Sequence, residues 1–394
     1  MLSFDEALAR LIESTAPLGA SEELPTAQAL GRVLMQDVVS LLDVPPADNS
    51  AMDGYAVRAA DIGQLLPISQ RIPAGVVGTE LKPGTAARIF TGAQIPAGAD
   101  AVVMQEFCEV EGDAIRITGE VNSGQHIRLR GEDVQRGSTV LATGHKLDAA
   151  ALGMAAAVGA AKLKVAKRPR VALFSTGDEL VMPGEPLKPG SIYNSNRYML
   201  HGLLQGLGCE VVDLGIVPDK LDATRAALRE AASRADLIIT SGGVSVGEED
   251  HLRPAVQAEG SLDLWQIALK PGKPLAFGKV ANAYFVGLPG NPVSSFVTFL
   301  MLVRPVILRL QGATELAPRR YALRADFTWG KPDKRREFLR ARLNAQGGLD
   351  RYANQGSGVL TSAVWGDGLV DTPAGQTIAA GDTVQFLPFS ELLS

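Results

Sequence analysis

The stretch "TSGGVSVGEEDH", residues 240–251, follows the apolar run "ADLII" with three glycines, three carboxylates and a histidine. Gly242, Gly243 and Gly247 carry no Cβ, so backbone N–H groups in the loop, flanking Ser245, can face an anion at close range. Glu248, Glu249 and Asp250 would repel a bare phosphate. Beside Mg²⁺ that repulsion becomes coordination, because hard oxygen ligands suit this ion and it bridges carboxylate to phosphate. Three further loops have the same character. "STGDEL" (175–180) offers Ser175, Thr176, Gly177 and the carboxylate of Glu179, and "IVPD" ends at Asp219. "GLPGNPVSS" (287–295) offers Pro289, Gly290, Asn291, Pro292 and Ser294 at a helix start able to hold phosphate oxygens. "KPGKP" (270–274) adds Lys270 and Lys273. Glu179 and Asp219 are ligands of the same kind or groups that position water, with Mg²⁺ as the expected cofactor.

Taken singly, each loop has a plainer reading. The glycine loop is equally a turn, Asp219 can cap the next helix, the lysines of a Pro-Gly turn can be solvated, and His251 suits a structural or solvated role. Their placement favours chemistry. Between 170 and 310 apolar strand runs alternate with helical stretches: "RVALFSTG", a helix 194–207, "CEVVDLG", a helix 221–234, "ADLIITSGG", a helix near 251–259, "LAFG" and "NAYFVGLPGNP", then a long apolar helix 293–310. That alternation predicts a doubly wound parallel α/β sheet, in which ligands bind beyond the carboxyl ends of the strands. The polar loops fall at those ends.

Helices are expected over 4–16 and 25–37, and an alanine-rich one over 148–158, followed by the basic strand and linker "KLKVAKRPR". Short β-like runs punctuated by Gly, Pro and Asn fill 41–137, and period-two alternation returns after Pro318. Four units follow: an elongated N-terminal domain from 1–40 with 138–169, a β-rich domain 41–137, an α/β domain 170–318, and a small C-terminal β-barrel 319–394. With 394 residues, 46% hydrophobic and 21% charged, the chain has an ordinary globular composition. A formal charge of −5 spread along the sequence argues against nucleic acid as a partner. Two cysteines without CxxC spacing exclude a disulfide framework and a zinc–cysteine site. No run approaches a membrane span and the N-terminus is not a signal peptide, so a cytoplasmic protein is expected.

"DNSAMDGYAV", "IFTGAQIPAGADAVVMQE", "RLRGED", "STGDEL", "TSGGVSVGEEDH", "KPGKPLAFG" and "GLPGNPVSS" occur together in this order. With them the sequence resembles, over essentially its whole length, the MoeA family of molybdopterin molybdenumtransferases, to which the C-terminal part of gephyrin is related. The resemblance implies insertion of molybdate into adenylylated molybdopterin, with release of AMP and a requirement for Mg²⁺. It implies a homodimer whose cleft lies between the α/β domain of one subunit and the β-rich domain of the other, and a molybdopterin adenylyltransferase as partner. Glu179, Asp219 and Asp250 match acidic positions of the family's cleft, and Lys270 and Lys273 its "KPGKP" lysines. Asp53 and Thr91 match motifs of the second domain, and Arg128 and Asp133 flank or lie in "RLRGED". Arg340 and Ser357 match C-terminal positions, with Arg128 and Arg340 as expected counter-ions. Gln266 stands where many relatives have a lysine. Two other functions stay open: adenylylation of molybdopterin, the activity of isolated relatives of the α/β domain, and a pterin-binding scaffold without turnover.

Overall fold

The structure, a computed structural model, describes residues 1–243 and 251–393. Helix Phe4–Glu13 opens with a reciprocal cap: Ser3 Oγ accepts from the Glu6 N–H at 3.2 Å, and Glu6 Oε2 accepts from the Ser3 N–H at 2.8 Å. Phe4, Ala7 and Leu11, spaced along one face, bury into the core of the α/β sheet.

The helix expected over 25–37 does not form. The chain there is a strand, Ser21–Pro25, a single turn at Thr26–Gln28, and then extended segments bridging Val33 to Lys146 and Leu34 to Val165. Gly31, at φ +72°, breaks any helical continuation. Ala29 and Leu34 are buried as their apolar character requires, but against Leu147, Ala151 and Val165. Strand Ser21–Pro25 pairs antiparallel with Lys162–Ala166, which ties the N-terminal segment to the chain beyond the β-rich region. Helix Ala149–Ala157, capped by Asp148, forms where the alanine run placed it.

The β-rich region is a six-stranded sheet in the order Ala101–Met104, Gly54–Val57, Ala86–Ile89, Leu65–Ile72, Ala114–Ile117, Cys108–Glu111. The α/β sheet runs Glu210–Val217, Arg170–Thr176, Leu237–Ser241, Ala283–Leu288, Pro274–Val280, Gly260–Gln266. The first four strands are parallel. The last two pair antiparallel, so the sheet is mixed, and Gly260–Gln266 is a strand the sequence reading passed over. Helices Leu221–Arg234 and Leu252–Glu259 cover one face, with Leu228, Ala231, Leu252 and Val256 buried against Ala172, Ile238 and Phe285. Helix Ser195–Gly206 and the long apolar helix cover the other.

That long helix, Pro292–Leu310, loosens to a π turn over Phe299–Val303. With 19 residues and a mean hydropathy of 1.7 it matches a membrane span by length and composition, contrary to the reading that no run does. Its window is 94% buried inside the protein, the place of a core helix. After Pro318 the strands close into a ring. Arg336–Leu343 pairs with Gly368–Thr372, that with Thr383–Pro388, and that with Tyr321–Arg324. Leu349–Arg351 completes the circuit, pairing with Arg336–Leu343 and bridging through Leu349 to Ala325.

The extended path through 29–36 yields a test. Leu34→Ala removes a fully buried side chain and should cost about 2–5 kcal/mol, while Leu30→Ala, 59% exposed, should cost less than about 0.5 kcal/mol. The urea midpoint of the first unfolding transition reads both. A helix over 25–37 would have brought Leu30 and Leu34 onto one face with comparable losses.

Candidate active site

Strand Arg170–Thr176 has one parallel neighbour on each side, Glu210–Val217 and Leu237–Ser241, reached by crossovers in opposite directions. Such a switch point leaves a crevice beyond the carboxyl ends of the strands. Here it is a cavity of about 880 Å³ lined by Thr176, Ser241, Gly242, Gly243 and the residues that follow Leu288.

Four polar segments meet in it. Gly242 sits at φ +90°, and a Cβ there would lie 2.8 Å from the Thr176 carbonyl oxygen, so only glycine lets the two strand ends approach. Pro289, Gly290, Asn291, Pro292 and Ser294 bring the N-terminal end of the long helix to the cavity wall, with its positive partial charge. The "KPGKP" loop supplies Lys270 and Lys273, and packs so tightly on the long helix that a Cβ at Gly272 would meet the Thr298 hydroxyl. Gln355, Gly356 and Ser357 form the wall from the C-terminal ring; the Ser357 carbonyl accepts from the Val293 N–H at 2.9 Å. Among the described residues, Glu179 is the carboxylate that lines the cavity.

The cations are unequal. Lys270 Nζ lies 2.7 Å from Glu337 Oε1 and 3.1 Å from Asp333 Oδ2. Burial opposes its charge, but hydrogen bonds to Glu337 and Asp333 outweigh that and hold its pKa above the ordinary lysine value. Arg335, which sequence reasoning missed, also lines the cavity and forks onto Asp333 at 2.9 and 3.0 Å. Lys273 is exposed at the cavity and has no carboxylate partner among the described residues. Of the three, it is the cation whose charge is left for a ligand.

Several predicted residues sit elsewhere. Ser175 is buried beneath the floor, its Oγ 3.2 Å from Ser241 Oγ, and Gly177 lies just past the lining. Arg340, read as a counter-ion, is fully buried inside the C-terminal ring. It donates to Ser362 Oγ at 3.0 Å and to the carbonyls of Phe338 and Gly356 at 3.2 and 3.3 Å. Burial pushes its pKa down to about 10, so it stays charged at neutral pH, and it acts on the cavity by holding the Gly356 carbonyl and, through its own backbone, the Gln355 side chain at 2.9 Å. Asp219 stands at the end of strand Glu210–Val217, its N–H donating to Asp178 Oδ1 at 3.4 Å. Gln266 is exposed and does not itself line the cavity, but it pairs with Pro274, which does. Ser245, Gly247, Glu248, Glu249 and Asp250 lie outside the described residues.

The strongest omissions are Asn194 and Asn196, on the cavity wall at the start of helix Ser195–Gly206. Asn196 Nδ2 donates to the Gly290 carbonyl at 2.8 Å, while Asn196 Oδ1 and Asn194 Nδ2 are buried without a partner. "NSN" at a helix start, with Asn194 as the cap, was the available signal.

Asp53, Thr91, Arg128 and Asp133 gather on the β-rich region, away from this cavity. Asp53 Oδ1 accepts from both the N–H and the hydroxyl of Thr91 at 2.7 Å, and Ile127–Arg128 pairs with Asn49–Ser50. Asp53, Arg128 and Asp133 are exposed. The motifs "DNSAMDG", "FTG" and "RLRGED" thus converge on one patch of their own.

Family models match nearly the whole chain. Residues 2–159 match the MoeA N-terminal region (domain I and II), 172–309 a probable molybdopterin binding domain, and 322–389 the MoeA C-terminal region (domain IV). The chain belongs to the MoeA family. A molybdopterin molybdenumtransferase of Haemophilus influenzae is 40% identical over 403 residues, covering 100% of both chains. Molybdopterin molybdenumtransferase 2 of Mycobacterium tuberculosis is 41% identical over 380 residues, covering 92% of this chain and 93% of its own. The crystal structure of a molybdopterin biosynthesis moeA protein from Pyrococcus horikoshii matches with a TM-score of 0.86 at 30% identity, covering 98% of this chain and 100% of that one. The cavity of this MoeA chain is therefore built largely within the segment that matches the molybdopterin-binding model, with Arg335 and Gln355–Ser357 added from the C-terminal region.

The Asp53–Thr91 pair yields a prediction. Hydrogen bonds from the Thr91 N–H, then from its hydroxyl, hold the Asp53 pKa below the usual carboxylate value. A folded pKa below the unfolded one favours the fold above pH ~4, and that contribution fades as pH falls through the folded value. Thr91→Val removes the hydroxyl donor, so the carboxyl carbon signal of Asp53 should titrate at higher pH by NMR. An unchanged midpoint would mean that the hydroxyl does not bond in solution.

Proposed function

We propose that this MoeA chain is a molybdopterin molybdenumtransferase, inserting molybdenum into molybdopterin during molybdenum cofactor biosynthesis. The carrying observation is the convergence at one set of strand ends of a ligand-free cation, Lys273, the close-approach backbone at Gly242–Gly243, and the carboxylate of Glu179. Anions with a pyrophosphate linkage need the first two, and a hard divalent cation needs the third. The substrates are adenylylated molybdopterin and molybdate. The pyrophosphate linkage is cleaved, AMP leaves, and the dithiolene keeps the molybdenum.

Glu179, with Asp219 and Asp250, would hold Mg²⁺. Among the described residues no three acidic, histidine or cysteine side chains cluster as a closed metal site. Mg²⁺ would complete its shell there with phosphate oxygens and water. Bound there, Mg²⁺ supplies positive charge to the pyrophosphate. The chain's own groups do the rest. Lys273 neutralises an oxyanion, the glycine backbone receives phosphate oxygens, and the buried Asn194 Nδ2 and Asn196 Oδ1 offer one donor and one acceptor for orienting a polar ligand.

We further propose a homodimer in which the Asp53–Thr91–Arg128 patch of one subunit faces the cavity of the other. The patch is exposed and belongs to the family's motifs, yet it does not line the cavity of its own chain. The protein would work in the cytoplasm, receiving its substrate from a molybdopterin adenylyltransferase, without nucleic acid or membrane.

Incubation with adenylylated molybdopterin, Mg²⁺ and molybdate should release AMP in a molybdate-dependent way. Pyrophosphate production from ATP would instead indicate adenylylation, and neither product would leave a scaffold. Lys273→Met should lower AMP release by about 10²-fold, as for loss of one group that stabilises developing charge. Mixing inactive Asp53→Asn chains with inactive Lys273→Met chains should restore part of the rate if the cleft is shared. Heterodimers that form without recovery would count against the shared site.

A further inference from the structure

A second cavity, about 650 Å³, opens where three parts of the chain meet: the turn Gly144–Asp148, the α/β segments around Gln205 and Arg304, and Glu391 near the end of the described chain. Four cations line it: Lys146, Arg168, Arg304 and Arg319. Among the described residues none of the four has a carboxylate at ion-pair distance. Three acids share the wall; two are hydrogen-bonded elsewhere, and the charge of Glu391 favours the Arg304 cation without forming an ion pair with it. Asp148 Oδ1 accepts the Ala151 N–H at 2.8 Å as the cap of the following helix, and Glu391 Oε1 accepts from the Tyr321 hydroxyl at 3.1 Å. Glu315 is exposed.

Arg304 is the telling residue. It stands on the long apolar helix and is 7% exposed. One Nη donates to the Leu316 carbonyl at 3.2 Å, and its Nε is buried with no partner. A charged guanidinium left so incompletely bonded is costly, and a hydrophobic residue would be cheaper unless an anion completes the shell. Lys146 faces the same difficulty. Burial, and then the charge of Arg304, depress its pKa, which an anion between the two would reverse. Arg168 has one bond, to the Gly208 carbonyl at 3.1 Å, leaving most of its donors open.

We propose that this cavity is a second anion site, taking a small phosphate-bearing molecule whose phosphate lies between Arg304 and Lys146. Planar guanidinium forks with a lysine ammonium suit a phosphate's several oxygens, and the volume exceeds a bare phosphate and admits a nucleotide-sized body. The site shares no lining residue with the cavity that holds Lys273.

Calorimetric titration tests this with three probes on the full chain: inorganic phosphate, AMP, and adenosine as the uncharged control. Two binding events are expected for AMP, one in each cavity, and none for adenosine. Lys146→Met should weaken one event by about tenfold or more and leave the other intact, and Lys273→Met should do the reverse. Arg304→Met should abolish the same event as Lys146→Met, with circular dichroism confirming the fold. If inorganic phosphate matches AMP at this site, the phosphate alone is recognised; if AMP binds more tightly, the body is recognised too. An AMP isotherm unchanged in both Lys146→Met and Arg304→Met, or a single event lost in Lys273→Met, would overturn the proposal. Neither result bears on AMP release at the first cavity.

Discussion

Two residues fasten the first cavity together. Leu269 and Lys270 leave the edge of the α/β sheet and add in parallel to the C-terminal ring, Leu269 opposite Arg336 and Lys270 opposite Glu337. The same Lys270 closes its ammonium on Glu337 and Asp333 from that ring. A backbone ladder and an ion pair at one point fix the "KPGKP" loop against two domains at once, and the position of Lys273 follows from that. Leu269, fully buried, sits in the same core as Leu173, Leu300 and Phe338, so the junction is apolar beneath and charged above.

Around that junction some charges are paired and others are not. Arg335, Arg336 and Lys270 each meet acid, and Asp371, 5% exposed, is gripped by Arg320 and Arg336. Among the described residues Arg340 meets only neutral oxygens, and burial lowers its pKa to about 10, which still leaves it cationic at neutral pH beside the Gly356 backbone that lines the cavity. Paired cations contribute shape and unpaired ones contribute field. A site for polyanions needs both, since unpaired charge everywhere would destabilise the fold.

What was legible in the sequence follows the strength of local signals. The α/β strands are near-continuous apolar runs followed by glycine, so both the sheet and the loops at its ends could be read. Over 25–37 the apolar spacing fitted a helix, but Gly31 and pairing with distant residues 145–165 decided otherwise; long-range pairing leaves no local mark. "GSLDLWQ" joins its helix through Gly260 alone, with no loop between helix and strand, so the local pattern marks the boundary weakly. Arg340 could not be placed because its partners, Ser362 and two carbonyls, come from the tertiary fold. Asn194 and Asn196 carry a readable helix-start signature.

The long helix Pro292–Leu310 carries one more consequence. It is apolar over most of its surface, and the residues that cover it come partly from the far end of the described chain: Phe389 meets Phe296 edge-on at 5.4 Å between ring centroids, and Leu392 joins the same core. During synthesis this segment leaves the ribosome some eighty residues before its cover. For that interval it is a sticky, water-averse surface of the kind that chaperones bind and that self-associates when left bare. Shortening the chain by its last few residues would therefore be felt first as aggregation and clearance, before any effect on the chemistry of the site.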